Sequence, residues 1–344
     1  MKPTGEHVRE RYELEKALLQ QGRFFKLICG AGNEDAEEVY KLSLVYTLAG
    51  AASIDLSARP EVVAAARRAV TEAQAMAHAF PIRTVTPPFL TVSVGMPGDA
   101  HVRKARILSD RCTQCNACIP VCPTDAIPDM LVILETRCIG CGACSVACQD
   151  DAIGYAHKEV EMERTLIACL EAGAENIELH ASVPDHEPTL KEWMLITQLL
   201  PESFVSVCLD RGYLSNHALR TRIERMLERA PGRMMVQADG IPMSGGRDDY
   251  NTTLQAIATA DIVAKTKLPV HILLSGGTNA KTMELAAACG VPCAGVSIGT
   301  FARHMIYEFI NHPAFPGEGL VEAAVDAASQ LVATCAPFAH RVDA

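Results

Sequence analysis

Residues 24–57, FFKLICGAGNEDAEEVYKLSLVYTLAGAASIDLS, read as strand, helix, strand. The apolar run FFKLICG (24–30) is followed by a helical pattern with Asn33 or Asp35 as N-cap candidates and Gly50 as its stop. ASIDLS (52–57) then opens the next strand. A helix between two strands carries the chain back to the end where it began, so the strands run parallel. The pattern recurs at FLTVSVG (89–95), NIELHAS (176–182), FVSVCLD (204–210), RMMVQAD (233–239), PVHILLS (269–275) and CAGVSIG (293–299). Eight such units predict an α/β fold of the (β/α)8 TIM-like barrel type, which typically needs ~250 residues.

One stretch interrupts the alternation. Cys112, Cys115, Cys118, Cys122 and then Cys138, Cys141, Cys144, Cys148 each follow C-x2-C-x2-C-x3-C, with Pro123 after the first run and Gln149 after the second. This is the spacing of bacterial two-cluster ferredoxins, in which the fourth cysteine of each run ligates the other cluster. One 4Fe-4S cluster is therefore expected on Cys112, Cys115, Cys118 and Cys148, the other on Cys138, Cys141, Cys144 and Cys122. The fourth cysteine is expected to open a helix. Ile119, Val121, Ile127, Ile139, Val146 and Ile153 are expected to wall the clusters from water. Zinc is the alternative, but its frameworks use separated ligand pairs rather than two four-cysteine runs. The block follows the third strand, and loops leaving the C-terminal ends of strands form the functional mouth of such barrels. The clusters are thus expected over that mouth.

The predicted division is an N-terminal helix (1–22), a first barrel part (23–96), the ferredoxin-like insertion (97–158), the rest of the barrel (159–312) and a C-terminal helical extension (313–344). The first helix reads as a charged, solvated cap. A formal net charge of -10 argues against nucleic acid and anionic membranes as partners. No apolar run is long enough to span a membrane, and a cytoplasmic location is expected. The remaining Cys29, Cys169, Cys208, Cys289, Cys293 and Cys335 are expected to be reduced and buried. Within residues 101–158 six Lys/Arg face six Asp/Glu, so charge marks no docking face for the unidentified redox partner protein.

Gly276 and Gly277 after the seventh strand, with Gly299 and Thr300 after the eighth, stand where barrels commonly hold phosphate, and equally suit plain tight turns. A phosphate-bearing ligand such as FMN is one occupant of that site. Asp55, Glu178, His180, Asp210 and Asp239 stand at strand ends, and Glu178 with His180 share one side of an alternating strand. That pair is the weak candidate for acid/base catalysis; a structural hydrogen-bonded pair is the commoner arrangement. His186 reads as a loop residue, and DGIPMSGGRDD (239–249) as a polar loop, with a lid or anion loop as the alternative.

NIELHASVP, SGGTNAKTMELAAACG and AGVSIGTFAR resemble segments of the flavin-binding barrels of the dihydroorotate dehydrogenase type. That family places a lysine on an inner strand against the flavin. FVSVCLD and MMVQAD carry none, and Lys26 near the start of the first strand is a poor substitute. This departure speaks against FMN and leaves room for another anionic ligand. RFFKLICGAGNEDAEEVYKLSLVYTLAGAASIDLSARPEVVAAA, with the double cysteine block, DGIPMSGG and SGGTN, is similar over most of the chain to the light-dependent period protein A (LdpA) family. The resemblance implies ferredoxin-type clusters on the eight cysteines and a relay of cellular redox state to circadian clock proteins. Two functions follow: an iron–sulfur protein that senses or transfers single electrons, or an oxidoreductase whose clusters serve a flavin or anionic substrate in the barrel. A scaffold with structural clusters is the third.

Overall fold

The computed structural model describes residues 5–79, 86–129, 131–157, 161–240, 250–317 and 319–338. Strands β1 (Phe24–Ile28), β2 (Ser53–Ser57) and β3 (Phe89–Gly95) come first, and a separate hairpin of β4 (Arg103–Ile107) and β5 (Ile153–His157) follows. Then come β6 (Asn176–His180), β7 (Val205–Leu209), β8 (Met234–Asp239), β9 (His271–Ser275) and β10 (Gly295–Ile298). All but the hairpin join in one closed parallel barrel in the order β1-β10-β9-β8-β7-β6-β3-β2. Each of the eight runs read from the sequence contains one barrel strand, and β3 pairs directly with β6, so the insertion leaves and re-enters without breaking the ring.

The helices are α1 (Gly5–Gln20), α2 (Ala36–Leu48), α3 (Pro60–Met76), α4 (Ala143–Ala147), α5 (Met162–Ala172), α6 (His186–Leu199), α7 (Asn216–Leu227), α8 (Tyr250–Lys265), α9 (Thr282–Ala288), α10 (Thr300–Ile310) and α11 (Leu320–Val332). Asp35 is the N-cap of α2, its side chain accepting from the amides of Glu37 and Glu38, and this satisfies donors that the first turn leaves open. The main core lies between strands and helices and is built from Val, Leu, Ile and Ala, as the 5% aromatic content requires. Trp193 is wholly buried there, its indole N–H donating to Met226 O at 2.9 Å. The last helix, α11, buries Val321, Ala324, Val325, Ala328 and Leu331.

The first helix is more than a solvated cap. It closes the N-terminal end of the barrel, where Leu19 packs with Phe24, Phe89, Phe204, Met235 and Leu273, and Tyr12 stacks on Phe204 at 4.9 Å. Its charges are used there as well. Arg11 pairs with Glu175 at 2.7 Å and lies over the Phe89 ring, and buried Glu15 accepts from Asn176 Nδ2 at 2.5 Å. None of the described helices is long and apolar enough to cross a membrane.

Candidate functional site

The insertion is a repeated unit. The two cysteine runs adopt the same turns: Gln114 and Asn116 in the first and Gly140 and Gly142 in the second all have positive φ, as do Asp125 and Asp151 after the fourth cysteines. These left-handed residues curl each loop around its own cysteines. Gly140 has a further reason to lack a side chain, since a Cβ there would run into the carbonyl oxygens of Arg103 and Ala100. Amides aim at sulfur from the curled loop and from β4: Gln114 N donates to Cys112 Sγ at 3.4 Å and Ala105 N to Cys138 Sγ at 3.3 Å. Ala126 N donates to Cys122 Sγ at 3.2 Å and Ala152 N to Cys148 Sγ at 3.3 Å.

Two cavities result. One, of about 420 Å³ counting the solvent at its opening, is lined by Cys112, Cys115, Cys118 and Cys148. The other, of about 340 Å³ on the same count, is lined by Cys122, Cys138, Cys141 and Cys144. None of the eight is in a disulfide. Burial and then the neighbouring Cys141, Cys138 and Cys122 push the Cys144 thiol up to about 11, because like charges crowd together there.

Three local expectations differ. The fourth cysteine does not open a helix: Cys144 lies within the one short helix, α4, and Cys148 is its C-cap. Val146 does not wall a cluster, because it projects from the free side of α4 and is 90% exposed; Val121 is exposed too. Ile127 and Ile139 are buried, while Ile119 and Ile153 are half-buried against the cysteine-centred core of the insertion. Among the other cysteines, Cys29, Cys169, Cys208 and Cys335 are buried but Cys289 is exposed, because it caps the solvent-facing end of α9.

The second cavity is the one beside the barrel. Lys104, on β4, donates through Nζ to the carbonyls of Glu135 at 2.7 Å and Cys138 at 2.9 Å, and also to Gly32 O in the loop after β1. Glu34 N donates to Thr136 O at 2.6 Å, Arg137 pairs with Asp35 at 2.8 Å, and Tyr307 of α10 donates to Asp125. Ile139, next to Cys138, lines an open cleft of about 680 Å³, solvent at its mouth included, at the C-terminal ends of the strands. Gly276, Gly277, Gly299 and Thr300 line the same cleft, with Glu178, His180, Asp55 and Asp239. Gly276 has φ +69, and a Cβ on it would collide with the Asp239 carboxylate, so its visible work is to make room for that acid. Gly299 is the N-cap of α10 and Thr300 its first residue. Asp210 stands apart from the cleft lining; burial raises it, and it accepts from Gly212 N. His186 begins α6 rather than lying in a loop, and touches Arg222. Apart from Asp239 and Gly240, the 239–249 stretch lies outside the described residues.

Above the apolar layer at its N-terminal end, the barrel buries Lys26, Asp55, Ser93, Glu178 and Ser206 where such barrels usually carry Val, Ile and Leu. Lys26 stands at its centre, fully buried, 2.7 Å from Glu178 Oε2 and 3.6 Å from Asp55 Oδ1. It is committed to this pair, and so it does not replace the missing flavin lysine. Burial would lower Lys26, but Glu178 and Asp55 outweigh it and raise it; burial raises Asp55 to about 7. Glu178 is lowered in spite of burial, by Lys26 and His180. Its other oxygen, Oε1, faces His180 Nε2 at 3.6 Å.

Asp99, His101 and Cys208 also converge here, and the sequence reading passed over them in this role. His101 Nδ1 lies 2.7 Å from Asp99 Oδ1, its Nε2 lies 3.4 Å from Asp239 Oδ2, and its ring stacks on His180 at 4.2 Å. The available signal was Asp-x-His directly behind the third strand, at the mouth. Burial disfavours the charged ring, yet the Asp239 and Asp99 carboxylates hold His101 well above the ordinary histidine value. Burial, and then the charge on His101, lower His180 to about 4.

A family model for the light dependent period A C-terminal domain matches residues 168–334, and one for a 4Fe-4S binding domain matches 105–127 and 131–154. Light dependent period A of Synechococcus elongatus is 31% identical over 302 residues, covering 85% of this chain and 84% of that protein. Among solved structures, the YdjI aldolase from Escherichia coli K12 is 10% identical with a TM-score of 0.47, covering 94% of this chain and 93% of its own. Dihydrodipicolinate synthase from Oceanobacillus iheyensis is 9% identical with a TM-score of 0.41, covering 92% and 79%. These two likenesses say nothing about chemistry. The 4Fe-4S matches enclose both cysteine runs, so this is an iron–sulfur protein of the 4Fe-4S kind. With identity of that extent over most of both chains, the protein belongs to the light dependent period A family.

Proposed function

We propose that the chain is a two-cluster electron carrier of the cytoplasm, in which Cys112, Cys115, Cys118 and Cys148 hold one 4Fe-4S cluster and Cys138, Cys141, Cys144 and Cys122 the other. The carrying observation is the pair of four-cysteine cavities, each with amides donating to its sulfurs. Such donors stabilise the thiolate charge of a cluster. When bound, the clusters supply one-electron redox chemistry over a range of roughly −700 to +450 mV.

The two cavities have different neighbours. The outer one borders Leu131, an exposed apolar residue. Exposed apolar surface is what a transient protein partner covers. The inner cavity is tied to the barrel by Lys104, Glu34 and Arg137. We therefore assign the outer side to a redox partner protein, and the barrel to carrying the redox state onward. By kinship with the family, that partner is clock-related. An anaerobic potentiometric titration of the reconstituted chain tests this. Reversible one-electron bleaching of both clusters is expected; clusters that stay redox-silent over the whole range would leave them a structural role and overturn it.

A second reading rests on Ile139. Because this neighbour of Cys138 lines the same cleft as Gly276, Gly277, Gly299 and Thr300, an electron on the inner cluster has a short path to a ligand bound there. The chain would then be an oxidoreductase acting on FMN or a phosphate-bearing substrate, with Glu178 and His180 next to the reacting group. Saturation at 100 times Kd adds about 2.7 kcal/mol of stability, so a thermal shift by FMN or inorganic phosphate decides this reading.

A further inference from the structure

Six polar atoms around the barrel mouth and upper interior are buried without a hydrogen-bond partner among the described residues: Glu178 Oε1, His180 Nδ1 and Nε2, Gln237 Oε1, Asp239 Oδ1 and Ser297 Oγ. Buried polar groups are ordinarily satisfied, so a concentration of orphans marks a place built around something else. His180 is the plainest case, because the whole residue is 6% exposed and neither ring nitrogen has a hydrogen bond among the described residues, Nε2 only facing Glu178 Oε1 at 3.6 Å.

We infer that the barrel mouth binds one borderline divalent transition-metal ion, of the Zn²⁺ or Fe²⁺ kind, through His101, His180 and Cys208, with Asp239 as the fourth ligand. A donor atom from each of the first three lies within 4.8 Å of the others. Asp239 Oδ2 is 3.2 Å from Cys208 Sγ and 3.4 Å from His101 Nε2. Bonds of about 2.0–2.3 Å in a tetrahedron put donors roughly 3.3–3.8 Å apart, so small side-chain movements close the set.

The surroundings are those of a ligand histidine. His101 Nδ1 is held by Asp99 Oδ1, which leaves Nε2 to face inward, the carboxylate–histidine pairing that orients metal ligands. Asp99 is itself fixed, with Oδ1 accepting from His101 N at 2.9 Å and Oδ2 from Ser182 N at 3.1 Å. Imidazole with thiolate selects zinc or iron over magnesium or calcium, which take oxygen ligands. Binding forms bonds to deprotonated donors, and the displaced thiol and ring protons pass to solvent. The strand positions explain the assembly. Cys208 and His180 are register partners on β7 and β6, Asp239 ends β8, and His101 arrives from the loop after β3.

The site does not depend on the cluster assignment, and one experiment reads them separately. The anaerobically purified full chain with its clusters is freed of loosely held metal, dialysed against Zn²⁺ and analysed for zinc, iron and sulfide. The expected result is about one zinc per chain, lost in His180→Gln and in Cys208→Ser, with iron and sulfide unchanged from the wild type. Cobalt should give the strong d–d absorption of a tetrahedral thiolate site in the wild type alone, after subtraction of the cluster spectrum. Cys208→Ser is close to isosteric, and retained cluster content with an unchanged circular dichroism spectrum verifies its fold. Zinc uptake equal in the wild type and both folded variants, or no uptake at millimolar zinc, overturns the site.

Discussion

Lys26 and Glu178 form an ion pair at 2.7 Å across the interior of the barrel, both side chains hidden from water, with Ser206 Oγ donating to the same carboxylate oxygen at 2.7 Å. Asp55 lies 3.6 Å from the ammonium and accepts from Ser93. One cation therefore serves two buried acids. Removing it leaves carboxylate charge in a medium that solvates it poorly, which typically costs 3–5 kcal/mol. Lys26→Met should lower the urea midpoint by about that free energy, and Lys26→Met/Glu178→Gln should recover part of the loss. A Lys26→Met protein as stable as the wild type would show that the interior is wetter than the burial of these groups indicates.

Glu15 carries a pH signature. Burial raises it from 4.5 to about 8, against the lowering effect of its Asn176 hydrogen bond. Below pH 4.5 the carboxyl is protonated in both the folded and unfolded chain and costs nothing. As pH rises from 4.5 toward 8 only the unfolded chain releases the proton, so stability falls through that window, by about 1.4 kcal/mol per pH unit at most. Glu15→Gln keeps an oxygen for Asn176 Nδ2 and removes the titration. Its melting temperature should exceed that of the wild type at pH 8 and match it near pH 4.5. Parallel curves across that range would refute the assignment.

The barrel was legible because its strands are short apolar runs with helices between them, and because FFKLICG to ASIDLS fixes parallel order locally. Three sulfurs of each cysteine cavity were legible from spacing within one loop, and the fourth, which comes from the other run, from the two-cluster spacing as a whole. The mouth was not. Glu178, His180 and Asp239 were visible as strand-end residues, but His101 and Cys208 come from separate segments that only the closed ring brings to them, and Cys208 in isolation is indistinguishable from a core thiol. Lys26 reads from the sequence only as a poor substitute for a flavin lysine; its role in an ion pair was hidden because its two acid partners lie on β2 and β6. Val146 failed because its helix has only five residues, too few for the sequence pattern to show which side faces the sulfurs.

Lys104 joins the insertion to the barrel through three carbonyls, those of Gly32, Glu135 and Cys138, and only the first belongs to the barrel. Lys104→Met keeps the stem and deletes the donors, leaving these carbonyls short of a partner. Each such loss costs about 1–3 kcal/mol locally. The effect should stay at the junction: faster hydrogen exchange at residues 30–36 and 134–140, faster bleaching of the clusters by a chelator, and little change at β7 or β8. Uniformly accelerated exchange throughout the barrel would mean that the junction supports the whole fold.

The crossed ligand sets can be separated from uncrossed ones by counting iron in paired variants. Cys112 and Cys148 line one cavity although they belong to different runs, while Cys112 and Cys122 belong to one run and line different cavities. If ligation follows the cavities, Cys112→Ser/Cys148→Ser damages a single cluster and the chain keeps about four of its eight irons. Cys112→Ser/Cys122→Ser then damages both and retains far less. Ligation by run reverses the order, because Cys112 and Cys122 would share one cluster. The sulfur contacts add a finer expectation. Cys148 accepts from Ala152 N and Cys122 from Ala126 N, so each fourth cysteine is held by the loop behind it rather than by its own run. A single Cys148→Ser change should therefore disturb the Cys112 cavity and leave the charge-transfer spectrum of the Cys138 cluster in place.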